Sequence, residues 1–137
     1  MMGKSAAFDM ARSEGVTHVT VADQDGKLAK KVAQFVAASA NSGVKVSASK
    51  LDAADRDETE KLMSKHEGTL SCVPYFFNLG LAKAAIKARC HFADLGGNNT
   101  VVRETLGLAS KAEKRGVALA PDCGLSPGMA SILAGDL

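Results

Sequence analysis

Strand-like and helix-like runs alternate along this chain from end to end, and that alternation leaves few architectures open to it. Residues 16–22 (Val-Thr-His-Val-Thr-Val-Ala) read as a strand, as do 44–48, 69–73, 91–95 and 117–120. Between them, residues 27–40, 55–66, 78–88 and 100–114 read as helices. Another helix, residues 3–14, precedes the first strand, and a last one begins near residue 127. In 27–40, Leu28, Val32, Phe35 and Val36 recur at i, i+4, i+7 and i+8 and mark an apolar face. Gly15, Asn41-Ser42-Gly43 and Arg115-Gly116 supply stop signals where helices should end. Strands separated by helices predict β-α-β units and a parallel sheet covered by helices on both faces.

A spacing within this pattern narrows it further. Gly3 opens the first helix, and Asp23 closes the first strand at 23 − 3 = 20 positions further on. In a dinucleotide-binding unit the third glycine of G-x-G-x-x-G opens a helix, and an acidic residue follows about twenty positions later. Met1-Met2-Gly3 fits the tail of such a fingerprint. A doubly wound sheet of order 3-2-1-4-5-6 has six strands, and the one without a counterpart here is the first, central strand. The expected fold is therefore α/β, a Rossmann-type doubly wound parallel sheet lacking its first strand. It would span residues 1–120, with 121–137 leading into a substrate domain outside the sequence. Taken alone, Gly3 reads better as a flexible glycine behind a methionine; its register with Asp23 gives the binding reading weight.

Composition removes several other functions. The chain has 137 residues, enough for one domain with a core. Its net charge is +2, with Lys and Arg spread along the chain rather than clustered, which argues against a phosphate-tracking surface. Aromatic residues make up 4% and Trp is absent, so a base-stacking platform is not expected. No apolar run approaches the roughly eighteen residues of a membrane span, and no signal-peptide layout opens the chain. Cys72, Cys90 and Cys123 are widely spaced with no C-x-x-C, which suits free thiols in the cytoplasm and no zinc site. His18, His66 and His91 lack metal-ligand spacing.

The candidate binding residues follow from strand ends. A carboxylate at Asp23 would accept hydrogen bonds from the adenosine ribose hydroxyls and repel a 2′-phosphate. Gln24-Asp25-Gly26 brings no arginine to receive such a phosphate, so NAD is favoured, with NADP second. The competing role for Asp23 is a solvated turn residue, with Asp25 as the rival helix cap. Asp52 would either accept from the adenine amino group or cap the helix of residues 55–66. Val73 and Pro74 end strand 69–73 at the crevice edge, where the nicotinamide-ribose half lies in such folds. Phe76 and Phe77, beside Tyr75, are expected to pack in a core or interface. Gly96-Gly97 either lets the backbone approach a ligand or makes a tight turn. Asp94 lies within its strand and is expected to be half-buried.

Two longer blocks are more specific. Asp94-Leu95-Gly96-Gly97-Asn98-Asn99 and Pro121-Asp122-Cys123-Gly124-Leu125-Ser126-Pro127-Gly128-Met129 resemble the saccharopine dehydrogenase family, as do Val73-Pro74-Tyr75-Phe76-Phe77-Asn78 and Val21-Ala22-Asp23. Within it, the chain is most similar to the lysine 6-dehydrogenase-type branch. The resemblance implies an NAD- or NADP-dependent oxidoreductase acting on the C–N bond of a small amino-acid substrate, and a homo-oligomer at full length. By position, Gly3 and Asp23 would hold the cofactor's phosphate and ribose. Val73, Pro74 and Gly97 would flank its nicotinamide end, and Asp122 would contact a substrate amine. No catalytic residue is assigned. Met129, Ala130 and Ser131 include no histidine, which favours the lysine-type over the saccharopine-type relatives. Hydride transfer needs both domains to position the amine carbon, so this piece alone is expected to be inactive. The rival reading is a non-catalytic nucleotide-binding or regulatory module of the same fold.

Overall fold

A computed structural model describes residues 2–125 and 128–135; Met1, Ser126, Pro127, Asp136 and Leu137 lie outside the described residues, and with them part of the proline-glycine block. The chain forms two compact units, residues 1–52 and 53–137.

The first unit contains α1 (Met2–Met10), β1 (His18–Asp23), α2 (Gly26–Ala37) and β2 (Lys45–Lys50). The two strands are parallel, in register from His18↔Lys45 to Asp23↔Lys50. Alternation turns Val19, Val21 and Val46 toward a small core with Ala7, Ala11 and Val36. α1 is shorter than the sequence suggests. Past Met10, the Ala11 carbonyl accepts from the Asn41 main-chain N–H (2.9 Å) and the Arg12 carbonyl from the Asn41 side-chain amide (2.7 Å). Those carbonyls bind the loop before β2 instead of another helical turn.

The expected apolar face of α2 holds in part: Val36 is in the core and Val32 packs against it, joined by alanines. Ala29, Ala33 and Val36 are buried, whereas Leu28 and Phe35 are each 46% exposed. Small side chains let the helix lie close on the strands, and Phe35 is left at the flank. There its ring packs 6.0 Å from that of Phe8, with the Lys4 ammonium 3.7 Å from its centroid.

The second unit contains α3 (Arg56–Met63), β3 (Gly68–Ser71), a 3₁₀ turn (Tyr75–Phe77), α4 (Asn78–Ala88), β4 (His91–Asp94), α5 (Asn99–Leu106), α6 (Ala109–Arg115), β5 (Leu119–Ala120) and α7 (Met129–Gly135). Its strands form a parallel sheet of order β3-β4-β5, registered at Gly68↔His91 and Phe92↔Leu119. The core gathers Phe92 with Leu81, Ala82, Ala85 and Ile86 of α4, and with Met63, Leu108, Ala112 and Val117. The single helix expected over 100–114 is two helices. The Gly107 N–H still bonds the Arg103 carbonyl (2.9 Å), but the Leu108 N–H bonds Thr105, three residues back (3.0 Å). That tightening ends α5 and turns Leu108 and Ala112 into the core.

All strand pairs are parallel and linked through helices, so the fold is the expected α/β, Rossmann-type one. Within each unit the strands follow the sequential neighbour order of a doubly wound sheet, β2-β1 and β3-β4-β5. Among the described residues, no strand pairs with the other edge of β1 or of β3. No helix among them is long and apolar enough to cross a membrane.

Candidate functional site

In the first unit Asp23 and Asp52 lie at the carboxyl ends of the two paired strands. Asp23 is the last residue of β1, and Oδ1 accepts from the Asp25 N–H at 2.9 Å, which fixes the carboxylate in a turn. Asp25 is the cap of α2, accepting from the Lys27 N–H (2.8 Å) and the Leu28 N–H (3.2 Å). The cap therefore belongs to Asp25, and Asp23 stays half-buried at the strand end. Gly3 lies in the first turn of α1, also half-buried.

Lys50 is a cation that the reading of residues 24–26 overlooked. It is the cross-strand partner of Asp23 on β2. A Cβ on Gly26 would lie 3.1 Å from the Lys50 Cβ, so the stem of the lysine runs along the start of α2. Asp52 is exposed after β2. It does not cap α3, because Asp55 does so by accepting from the Glu58 N–H at 3.0 Å.

In the second unit the candidates lie on three loops at the carboxyl ends of β3, β4 and β5. After β3, Val73, Pro74 and Tyr75 are all exposed. The strand end is anchored beneath them by a buried bond, in which the Ser71 hydroxyl donates to Asn78 Oδ1 at 2.7 Å. Phe77 packs against the core, whereas Phe76 is 63% exposed and so is not a core residue. Its ring lies 4.5 Å from Phe77 and edge-on to Tyr75 at 5.8 Å, so the cluster is a surface stack. Gly97 has φ +116, and a Cβ there would come within 3.3 Å of the Tyr75 Cβ. The loop after β4 therefore runs directly against the loop after β3.

Asp94, the last residue of β4, is 2% exposed rather than half-buried. Its Oδ1 accepts from the Gly96 N–H (2.7 Å) and the Asp122 N–H (3.0 Å). Its main-chain carbonyl accepts from the Cys123 N–H (2.8 Å). Asp122 has φ +66, a left-handed conformation that few non-glycine residues hold. Asn98 accepts from the Thr100 and Val101 N–H groups and starts α5 just beyond Gly97.

The structure thus gathers Val73, Pro74, Gly97 and Asp122 on one rim, and Asp23 with Lys50 on another. Sequence reasoning missed Ser71, Asn78, Lys50 and the tying role of Asp94. For a dinucleotide, the Asp23 rim offers a carboxylate acceptor and a cation. The rim of Val73, Pro74, Gly97 and Asp122 offers glycine backbone, an exposed tyrosine and a carboxylate. Both sets fit such a ligand in donor and acceptor type. Among the described residues, no three His, Cys, Asp or Glu side chains are grouped as metal ligands would be.

Comparison with known proteins agrees with the fold. The family model described as "Saccharopine dehydrogenase NADP binding domain" matches residues 1–120. The chain is also similar to a solved structure described as apo histidine-tagged saccharopine dehydrogenase (L-Glu forming) from Saccharomyces cerevisiae. That likeness has a TM-score of 0.80 at 22% identity and covers 99% of this chain. The chain spans 28% of the length of that protein.

Proposed function

The chain belongs to the saccharopine dehydrogenase family, and on that premise we propose that it supplies the dinucleotide-binding part of an NAD(P)-dependent oxidoreductase acting on the C–N bond of an amino acid. The observation that carries this reading is the position of Asp122. It is held in a left-handed conformation beside the glycine turn at the carboxyl end of β4. Strained non-glycine backbone of this kind costs about 1–3 kcal/mol and clusters at functional sites. At the carboxyl ends of parallel strands it marks the crevice where ligands bind.

In this reading Asp23 accepts from the adenosine ribose hydroxyls and Gly3 permits approach to the phosphates. Val73, Pro74 and Gly97 border the nicotinamide, which when bound takes the hydride from the amine carbon. The Asp122 carboxylate gives the substrate amine a partner of opposite charge. The lysine-type reaction is the preferred one, because Met129, Ala130 and Ser131 include no histidine. Asp23 favours NAD, and Lys50 offers a 2′-phosphate its counter-charge, so these two residues set the choice of cofactor.

The test is the full-length polypeptide assayed for NAD and NADP reduction with lysine, ornithine and saccharopine. Lysine-dependent reduction is expected. Dinucleotide binding without turnover on any of the three would overturn the amino-acid dehydrogenase and leave a non-catalytic nucleotide-binding module.

A further inference from the structure

We propose that Asp94 is a positioning residue whose buried carboxylate, acting through main-chain N–H groups, fixes Asp122 over Gly96 at the mouth of the site. For its catalytic consequence this rests on the amine-oxidising reading above.

Asp94 is 2% exposed and last in its strand. Among the described residues it has no ion pair with Lys, Arg or His. A buried carboxylate without a cation is costly unless hydrogen bonds solvate it. Here the bonds come from Gly96 on its own loop and from Asp122 on the loop after β5. The Cys123 N–H adds a third tie, to the Asp94 carbonyl. One residue of β4 thus determines where the loop after β5 lies, and two consecutive N–H groups of that loop point back at it.

The consequence falls on Asp122. With its N–H committed to Asp94, its backbone turns left-handed and its side chain covers Gly96. A Cβ on Gly96 would overlap an Asp122 carboxylate oxygen and lie 3.0 Å from the Asp122 Cα. Gly96 itself has φ +74. The two positions therefore serve one purpose from opposite sides: Asp94 pulls Asp122 in, and the bare Gly96 leaves it room.

The test uses Asp94→Asn, Asp94→Ala, Gly96→Ala and the Asp94→Ala/Gly96→Ala double variant in the full-length polypeptide. Asparagine keeps an oxygen acceptor at the same place without the charge. For a positioning role, Asp94→Asn retains kcat/KM for the amine within about fivefold, as weaker neutral bonds allow. Asp94→Ala and Gly96→Ala each lose about a hundredfold, the cost of misplacing a group by an ångström or so. The double variant falls to the same floor rather than to the product, because both act on Asp122. Should Asp94→Ala fail to fold, Asp94→Asn and Gly96→Ala carry the test.

Amide hydrogen exchange gives a readout that needs no activity. Protection at Gly96, Asp122 and Cys123 should persist in Asp94→Asn and vanish together in Asp94→Ala. If Asp94→Asn is as inactive as Asp94→Ala while protection persists, the charge itself is used and positioning is overturned. Unchanged protection in Asp94→Ala overturns it as well. If the wild type oxidises no amine, the functional reading fails, and the exchange result alone then decides on Asp94.

Discussion

Thr105 in α5 is fully buried, and its hydroxyl has no hydrogen-bond partner among the described residues. A buried, unsatisfied hydroxyl costs about 1–3 kcal/mol. Thr105→Val removes that oxygen and keeps the β-branched shape. Threonine and valine differ little in helix propensity, so α5 itself should be indifferent to the change. The new methyl adds up to about 0.8 kcal/mol of burial, offset by the slight overfilling of a packed site. The net expectation is a gain of about 1–2 kcal/mol. At about 2.1 cal/mol/K per residue, a chain of 137 residues gains about 3.5 °C in Tm per kcal/mol, hence about 3–7 °C here. Thermal and urea unfolding followed by far-UV circular dichroism measure it, with Thr105→Ser as the control. Serine keeps the stranded hydroxyl and loses a buried methyl, so its Tm should fall. An unchanged or lower Tm for Thr105→Val would refute the reasoning and mean that the hydroxyl is satisfied, for example by a buried water.

Two further predictions follow from the site and from the thiols. Asp23→Ala should weaken NADH binding by about ten- to a hundredfold, the loss of one or two charge-assisted hydrogen bonds. Lys50→Met should weaken NADPH binding by a similar factor and leave NADH unchanged; fluorescence titration with both dinucleotides separates the two effects, and equal losses for both would remove Lys50 from the cofactor choice. Burial pushes the Cys90 thiol up from its ordinary value of 9.0, with the Thr69 hydroxyl at 3.3 Å opposing part of the rise, and burial raises Cys72 too. The folded chain then keeps thiol protons that the unfolded chain has lost. Stability is unaffected below that ordinary value and falls as pH rises above it, through the raised values. Urea midpoints from neutral to alkaline pH should show the decline, and a Cys72→Ala/Cys90→Ala variant should lack this part of it.

Much of the fold is legible in the sequence because each β-α-β unit announces itself locally. α4 spans Asn78–Ala88, the residues its spacing predicts. The strand positions hold to within a few residues, since alternation and flanking turn residues act over short distances. The departures have a common cause: neighbours that the local pattern does not contain. The Asn41 side chain ends α1 from a loop 29 residues away. The break between α5 and α6 is set by how Leu108 and Ala112 must face a core centred on Phe92 and α4. On α2, Val32 and Val36 face the core as their spacing predicts, but Ala29 and Ala33 take the places expected of Leu28 and Phe35, because close approach to the strands rewards small side chains.

The site divides along the same line. Gly3 and Asp23 are candidates on a linear spacing alone. Asp94 and Asp122 are 28 residues apart, and their relation exists only once β4 and β5 lie side by side. Even so, half of the signal was present in β4. In His91–Asp94 the side chains alternate, so Asp94 shares a face with Phe92, and a phenylalanine in a parallel strand covered by helices turns inward. Asp94 was therefore bound to be buried, and a buried carboxylate at a strand end needs donors. The strand itself offers none, because its N–H groups are spent on the ladder. The donors had to come from the glycine turn just beyond and from the loop after the neighbouring strand, where the Gly96, Asp122 and Cys123 N–H groups stand.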